Sequence, residues 1–132
     1  MIFVDTSIFI AAARANDPSH AQGLALIQRA KREGETLITS DHVLDETVTY
    51  LQAKGGKERA SEAGRQMLRL EKLQMEYNSP PRTDAALRIV GKIDGMSFCD
   101  ALSIVVMQEL GIRTIYSFDS DFDKIAGIRR IE

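Results

Sequence analysis

Met1-Ile2-Phe3-Val4-Asp5-Thr6-Ser7 reads as a short strand that stops on a carboxylate and turns directly into a helix. Ile2, Phe3 and Val4 are apolar without alternation, which is the pattern of a strand covered on both faces in a parallel sheet. Thr6 and Ser7 can cap a helix over Ile8 to Arg14. In a right-handed βαβ unit the strand runs up and the helix returns. Strand C-termini and helix N-termini then share one edge of the sheet, where open α/β sheets hold their ligands. Asp5 falls on that edge.

The rest of the chain repeats the alternation. Asp17-Pro18 predicts a second helix start, with Leu24, Ile27 and Ala30 on its inner face and Gly34 at its end. Thr36 to Thr39 is a second short strand. A helix from Ser40 or Asp41 carries Val43, Leu44, Val48 and Leu51 as its apolar stripe and stops at Gly55-Gly56. Lys57 to Leu73 reads as a charged amphipathic helix. Gln74 to Pro81 reads as weakly extended, turning at Pro80-Pro81. A helix is expected over Asp84 to Ile93, and the most apolar one over Ser97 to Leu110. Ile112 to Phe118 is a buried strand, and Ile128 to Ile131 an edge strand. No repeat or linker divides residues 1–132, so the expectation is a single three-layer α/β/α domain around a short, mainly parallel sheet.

Four acids converge in this scheme. Asp5 and Asp119 follow strands, Asp100 lies in the first turn of the apolar helix, and Glu46 lies early in the helix after the second strand. No obvious cation pairs with them, and clustered carboxylates are costly unless a divalent metal neutralises them. The residues thus point to a Mg²⁺ or Mn²⁺ site. Each acid also has a plainer explanation. Asp5 can be a helix cap, Ser97 and Asp100 have the form of a capping box, and Glu46 lies off the apolar stripe on a face that water could cover. Asp119 opens Asp119-Ser120-Asp121-Phe122-Asp123, which starts like an EF-hand but lacks its glycine and terminal glutamate; an aspartate-rich turn remains open.

Composition narrows the function classes. With 17 basic against 19 acidic residues the net charge is −2, so avid polyanion binding by the whole surface is not expected. A single cysteine, Cys99, and two histidines, His20 and His42, exclude an internal disulfide and a zinc site. Cys99 reads as core rather than nucleophile. With no basic leader and no long apolar run, a cytoplasmic location is expected. Neither a phosphate-binding glycine loop nor a dinucleotide fingerprint occurs.

Taken in order, Ile2-Phe3-Val4-Asp5-Thr6-Ser7, Glu46, Met96-Ser97-Phe98-Cys99-Asp100-Ala101, Ile115-Tyr116-Ser117-Phe118-Asp119-Ser120-Asp121-Phe122 and Gly127-Ile128 resemble the PIN-domain ribonucleases, in particular the VapC-type toxins of toxin–antitoxin pairs. The resemblance spans essentially the whole chain. It implies that Asp5, Glu46, Asp100 and Asp119 are the metal-binding and catalytic acids, with Asp121 a further contributor not ranked against Asp119. Ser7 and Ser117 would be supporting hydroxyls, Ser117 standing where the family usually has threonine. Asp5 and Asp100 would hold the main ion, while Glu46 and Asp119 would complete the site or orient water.

The implied activity is a Mg²⁺- or Mn²⁺-dependent endoribonuclease that leaves a 5′-phosphate and a 3′-hydroxyl. Implied partners are single-stranded or looped RNA, a VapB-type antitoxin and a second copy of the chain. The dimer surface is expected on the first two helices or on the Val43 to Leu51 helix. The alternatives are a PIN nuclease acting on DNA or in RNA processing, a phosphoacceptor domain, and a non-catalytic interaction domain.

Overall fold

The computed structural model describes residues 1–132. Its elements are β1 (Ile2–Val4), α1 (Thr6–Ala13), α2 (His20–Glu33), β2 (Leu37–Ser40), α3 (Asp41–Gly55), α4 (Lys57–Arg69), β3 (Leu73–Glu76), α5 (Pro80–Val90), α6 (Phe98–Leu110), β4 (Thr114–Tyr116), a 3-10 helix (Ser120–Lys124) and β5 (Arg129–Ile131). The five strands pair in the order β3-β2-β1-β4-β5, and every pair is parallel. Phe3 lies between Ile38 and Ile115. The central strand is buried throughout, as its unbroken apolar run requires.

From β1 the chain moves outward on one side through β2 and β3, then crosses to the other side for β4 and β5. Right-handed crossovers place α1 to α4 over one face of the sheet and α5 and α6 over the other. The reversal of strand order between β1 and β4 is a topological switch point, and ligand crevices open there. α6 is buried from Ala101 to Met107, which accounts for apolar residues on every side of it.

Several boundaries differ from the sequence expectations, each for a local reason. α2 starts at His20 because the Asp17 carboxylate accepts the Ser19 N–H at 2.9 Å and holds a turn first. Its inner face is Gly23, Leu26 and Ala30 rather than a stripe led by Leu24. At Gly23 a Cβ would come within 3.2 Å of both the Ala11 Cβ and the Ile8 carbonyl, so glycine lets α1 and α2 touch. α4 ends at Arg69, and Leu73–Glu76 form a fifth strand of the sheet, bonded along β2. Pro80 and Pro81 do not form a turn. They begin α5, where a missing N–H costs nothing, and Ser79 caps it.

The apolar faces expected to form a dimer are largely used inside the chain. Ile8, Phe9, Leu26, Ala30, Val43 and Leu51 are all buried. At the β3 edge, the Arg82 guanidinium bridges Glu76 at 2.9 Å and Glu109 at 2.7 Å, tying the strand to α5 and α6. No helix is long and apolar enough to cross a membrane.

Candidate functional site

At the switch point a shallow cleft of about 370 Å³ is lined by Asp5, Glu46, Asp100 and Asp119, together with Thr6, Ser7, Ile10, Tyr50, Gly95 and Ser97. The four acids reach it from β1, α3, α6 and the segment after β4. Gly95 has φ +82°, a conformation that side-chain-bearing residues rarely adopt. It therefore passes along the cleft wall without a side chain.

Asp5 is the buried member, 4% exposed. Its Oδ2 accepts hydrogen bonds from the Ser7 hydroxyl at 2.7 Å, the Ser117 hydroxyl at 2.7 Å and the Ser7 N–H at 3.3 Å. The two hydroxyls are themselves fixed: Ser7 accepts the Phe118 N–H, and Ser117 accepts the Asp119 N–H, each at 3.0 Å. Asp5 is thus a cap for α1 and also the centre of a network joining β1 to the end of β4. Burial pushes its pKa up, and the hydrogen bonds from Ser7 and Ser117 only partly counter this.

The other acids are tethered in the same one-sided way. Glu46 is exposed and off the buried stripe, yet its Oε2 accepts the Thr6 hydroxyl at 2.6 Å, which links α3 to α1. Asp100 completes a capping box: Ser97 N–H and hydroxyl donate to its Oδ2 at 3.2 and 2.5 Å, and its own N–H donates to Ser97. Burial raises the Asp100 pKa; Ser97 opposes the rise and the Asp5 charge adds to it. Asp119 Oδ1 accepts the Asp121 N–H at 2.8 Å. In all four carboxylates, one oxygen takes these bonds and the other accepts no N–H or O–H.

Asp121 is placed differently. It does not line the cleft, and it pairs with Lys124 at 2.6 Å. Lys124 is a cation near the site that the sequence expectation lacked, and the Asp121 carboxylate raises its pKa. A second missed residue is Arg130. It grips Asp123 with Nε and Nη2 at 3.0 Å each, and donates from Nη1 to the Ser117 carbonyl at 3.2 Å. Both ends of the segment carrying Asp119 and Asp121 are thereby held. Tyr50 was missed as well, although its place one helical turn after Glu46 puts it on the same side of α3.

The donor chemistry fits Mg²⁺ or Mn²⁺: oxygen only, mostly anionic, with one uncommitted oxygen on each acid. As the side chains stand, no three His, Cys, Asp or Glu are gathered tightly enough to hold an ion. The local tethers and mutual repulsion hold the carboxylates apart, so the free oxygens of Glu46, Asp100 and Asp119 would have to draw inward towards the fixed Asp5 on binding. Cys99 is no competing nucleophile, because burial, with the nearby Glu46 charge adding, pushes its thiol pKa up.

The PIN domain family matches residues 2–128. The 23S rRNA-specific endonuclease VapC20 of Mycobacterium tuberculosis is 34% identical over 124 residues, covering 92% of each chain. The ribonuclease VapC13 of the same organism is 30% identical over 138 aligned positions, covering 99% of each. The crystal structure of M. tuberculosis VapC20, a sarcin–ricin loop cleaving toxin, superposes with a TM-score of 0.81 at 32% identity, covering 94% of both chains. VapBC2 from Rickettsia felis, crystallised on a promoter DNA fragment, shares the fold with a TM-score of 0.70 at 18% identity, covering 99% of this chain and 98% of that one. Sequence and fold agree along the whole chain, which belongs to the PIN-domain family, among its VapC-type ribonucleases.

Proposed function

We propose that the protein is a divalent-metal-dependent endoribonuclease acting as the toxin of a VapBC-type pair. The observation that carries this reading is the Asp5 network. A nearly buried carboxylate at a strand end is oriented by two fixed hydroxyls beside three further acids, none of the four within salt-bridge reach of a cation. Asp5 and Asp100 would hold Mg²⁺ or Mn²⁺. Glu46 and Asp119 would complete the site or orient the attacking water, and Asp121 would stay in reserve on Lys124. A divalent ion bound there supplies the Lewis acidity that phosphodiester hydrolysis by water needs. Ser7 and Ser117 keep Asp5 in one orientation, so its free oxygen need not be ordered on binding. The shallow cleft suits a backbone phosphate presented by single-stranded or looped RNA. The names of the VapC20 relatives support RNA as the substrate class.

The partners that go with this reading are a VapB-type antitoxin and a second copy of the chain, in the cytoplasm. A basic antitoxin side chain lying among the four carboxylates would supply the missing positive charge and silence the site. The phosphoacceptor alternative calls for a lysine after a late strand beside the acceptor aspartate, whereas Lys124, the lysine after β4, is engaged by Asp121.

The test is cleavage of structured and single-stranded RNA by the purified protein. Cleavage is expected with Mg²⁺, abolished by EDTA and restored by Mn²⁺. Cleavage that persists in EDTA, or that is seen only on DNA, would overturn the proposal.

A further inference from the structure

A second cleft adjoins the acidic one and shares two residues with it, Glu46 and Tyr50. It lies between one side of α3 and the start of α6, with a volume of about 450 Å³, and is also lined by His42, Asp45, Phe98 and Thr49. Its chemistry differs from that of the acidic cleft. Phe98 and His42 meet edge to face with ring centroids 5.7 Å apart. Tyr50 is 37% exposed, which leaves part of its ring open to the cleft. Its ring is pinned from the α1 side: the Arg14 guanidinium carbon lies 5.7 Å from the ring centroid, and Arg14 donates to the Tyr50 hydroxyl at 3.3 Å. Asp45 and Thr49 are exposed beside these rings and have no hydrogen-bonded side-chain partner in the chain.

We propose that this α3–α6 cleft is a nucleobase subsite. It would take one unstacked base next to the phosphodiester held in the acidic cleft, preferring bases with an exocyclic amine over uracil. The proposal rests on the nuclease reading and deepens it. Unstacked RNA bases are recognised by stacking on aromatic rings and by hydrogen bonds to their polar edges. Tyr50 and Phe98 supply ring surface that is already held in place, so little order is lost on binding. Asp45 can accept from an exocyclic amine, as carboxylates do from the cytosine amine, whereas the uracil edge offers a carbonyl there. Because Glu46 and Tyr50 belong to both clefts, a base seated in one would lie directly beside the phosphate held in the other.

The test uses short RNA loops differing only at the nucleotide flanking the cleaved bond: adenine, cytosine, guanine, uracil or an abasic sugar. The parent protein is expected to favour the best amine-bearing base over the abasic substrate by about 10-fold in kcat/KM, the scale of one stacked base. Tyr50→Leu and Phe98→Leu should collapse that ratio towards one. Asp45→Asn should narrow the margin over uracil while leaving the abasic ratio largely in place. Thermal melts and light scattering of each variant accompany the kinetics.

Equal losses on natural and abasic substrates overturn the subsite, as does a Phe98→Leu effect that follows a change in oligomeric state. Parent cleavage indifferent to the flanking base overturns the subsite alone. A parent that cleaves no RNA overturns the nuclease reading and the subsite together.

Discussion

Glu76 and Glu109 flank Arg82 at 2.9 and 2.7 Å beside the β3 edge. Asp5, Glu46, Asp100 and Asp119 share a cleft at the switch point with no Lys, Arg or His in salt-bridge reach. These are the same residue types in one small molecule, handled in opposite ways. At the edge a guanidinium fits its two carboxylates and fastens a strand to two helices. At the switch point the protein fixes one oxygen of each acid with hydroxyls and backbone N–H groups and leaves the other free. Paired acids hold a fold together; tethered but unneutralised acids are an electrostatic cost that a functional site can put to use. Arg130 stands between the two cases, a structural ion pair whose job is to hold the segment that carries Asp119.

The comparison breaks first at Asp5. Asp5→Asn keeps the shape and the cap but removes the buried charge, so Mg²⁺-dependent RNA cleavage should fall by at least ~10²-fold. Parent-like cleavage by a folded Asp5→Asn protein would make the cleft another structural cluster.

Arg82→Met tests the other side. Removing the shared cation leaves two partly exposed glutamates unpaired and should cost about 1–2 kcal/mol in urea unfolding. Cleavage should stay within about 2-fold of the parent, and a larger loss would show that the two groups are not independent.

Arg130→Met should do the reverse in milder form. The Mg²⁺ concentration for half-maximal cleavage should rise about 3- to 5-fold as the Asp119 segment loosens, with a smaller change at saturating metal. An unchanged metal requirement would confine Arg130 to stability.

The smallest effect is in the pH dependence. Burial raises the Asp5 and Asp100 pKa values above their ordinary 3.8, so the folded state binds these protons more tightly than the unfolded chain. Their contribution to stability is therefore greatest below pH 3.8 and is lost as pH rises from there through the raised folded values. A divalent ion offsets the cost of the ionised forms. The gain in melting temperature on adding Mg²⁺ should be slight near pH 4 and grow towards pH 7, and a gain independent of pH would separate metal binding from these two acids. Asp123 runs the other way, since Arg130 lowers its pKa. Its stabilising contribution is lost as pH falls through that lowered value.

Much of the frame was legible in the chain. Ile2-Phe3-Val4 and Ile115-Tyr116 are buried runs whose only economical place is inside a parallel sheet, and Gly34, Gly55-Gly56 and Gly111 mark helix ends locally. From that frame alone, Asp5, Glu46, Asp100 and Asp119 fall on one edge. β3 was not legible as a full strand, because Leu73–Glu76 is only partly buried and becomes a strand through hydrogen bonds to β2. The α5 start was misread because Pro80-Pro81 suits a turn and a first helical turn equally well.

Sequence by itself determined which residue types stand at strand ends and helix starts, because those follow from hydrophobic runs and capping chemistry over a few neighbours. Only the tertiary structure decided what each charge meets. Ser117 lies 112 positions from the Asp5 it holds, and Thr6 lies 40 positions from Glu46. Arg130 grips a 3-10 helix across a turn, and Lys124 takes Asp121 away from the cleft. Hydrogen bonds and ion pairs act over about 3 Å, so which acids are neutralised and which stay free depends on contacts made only when distant segments pack together.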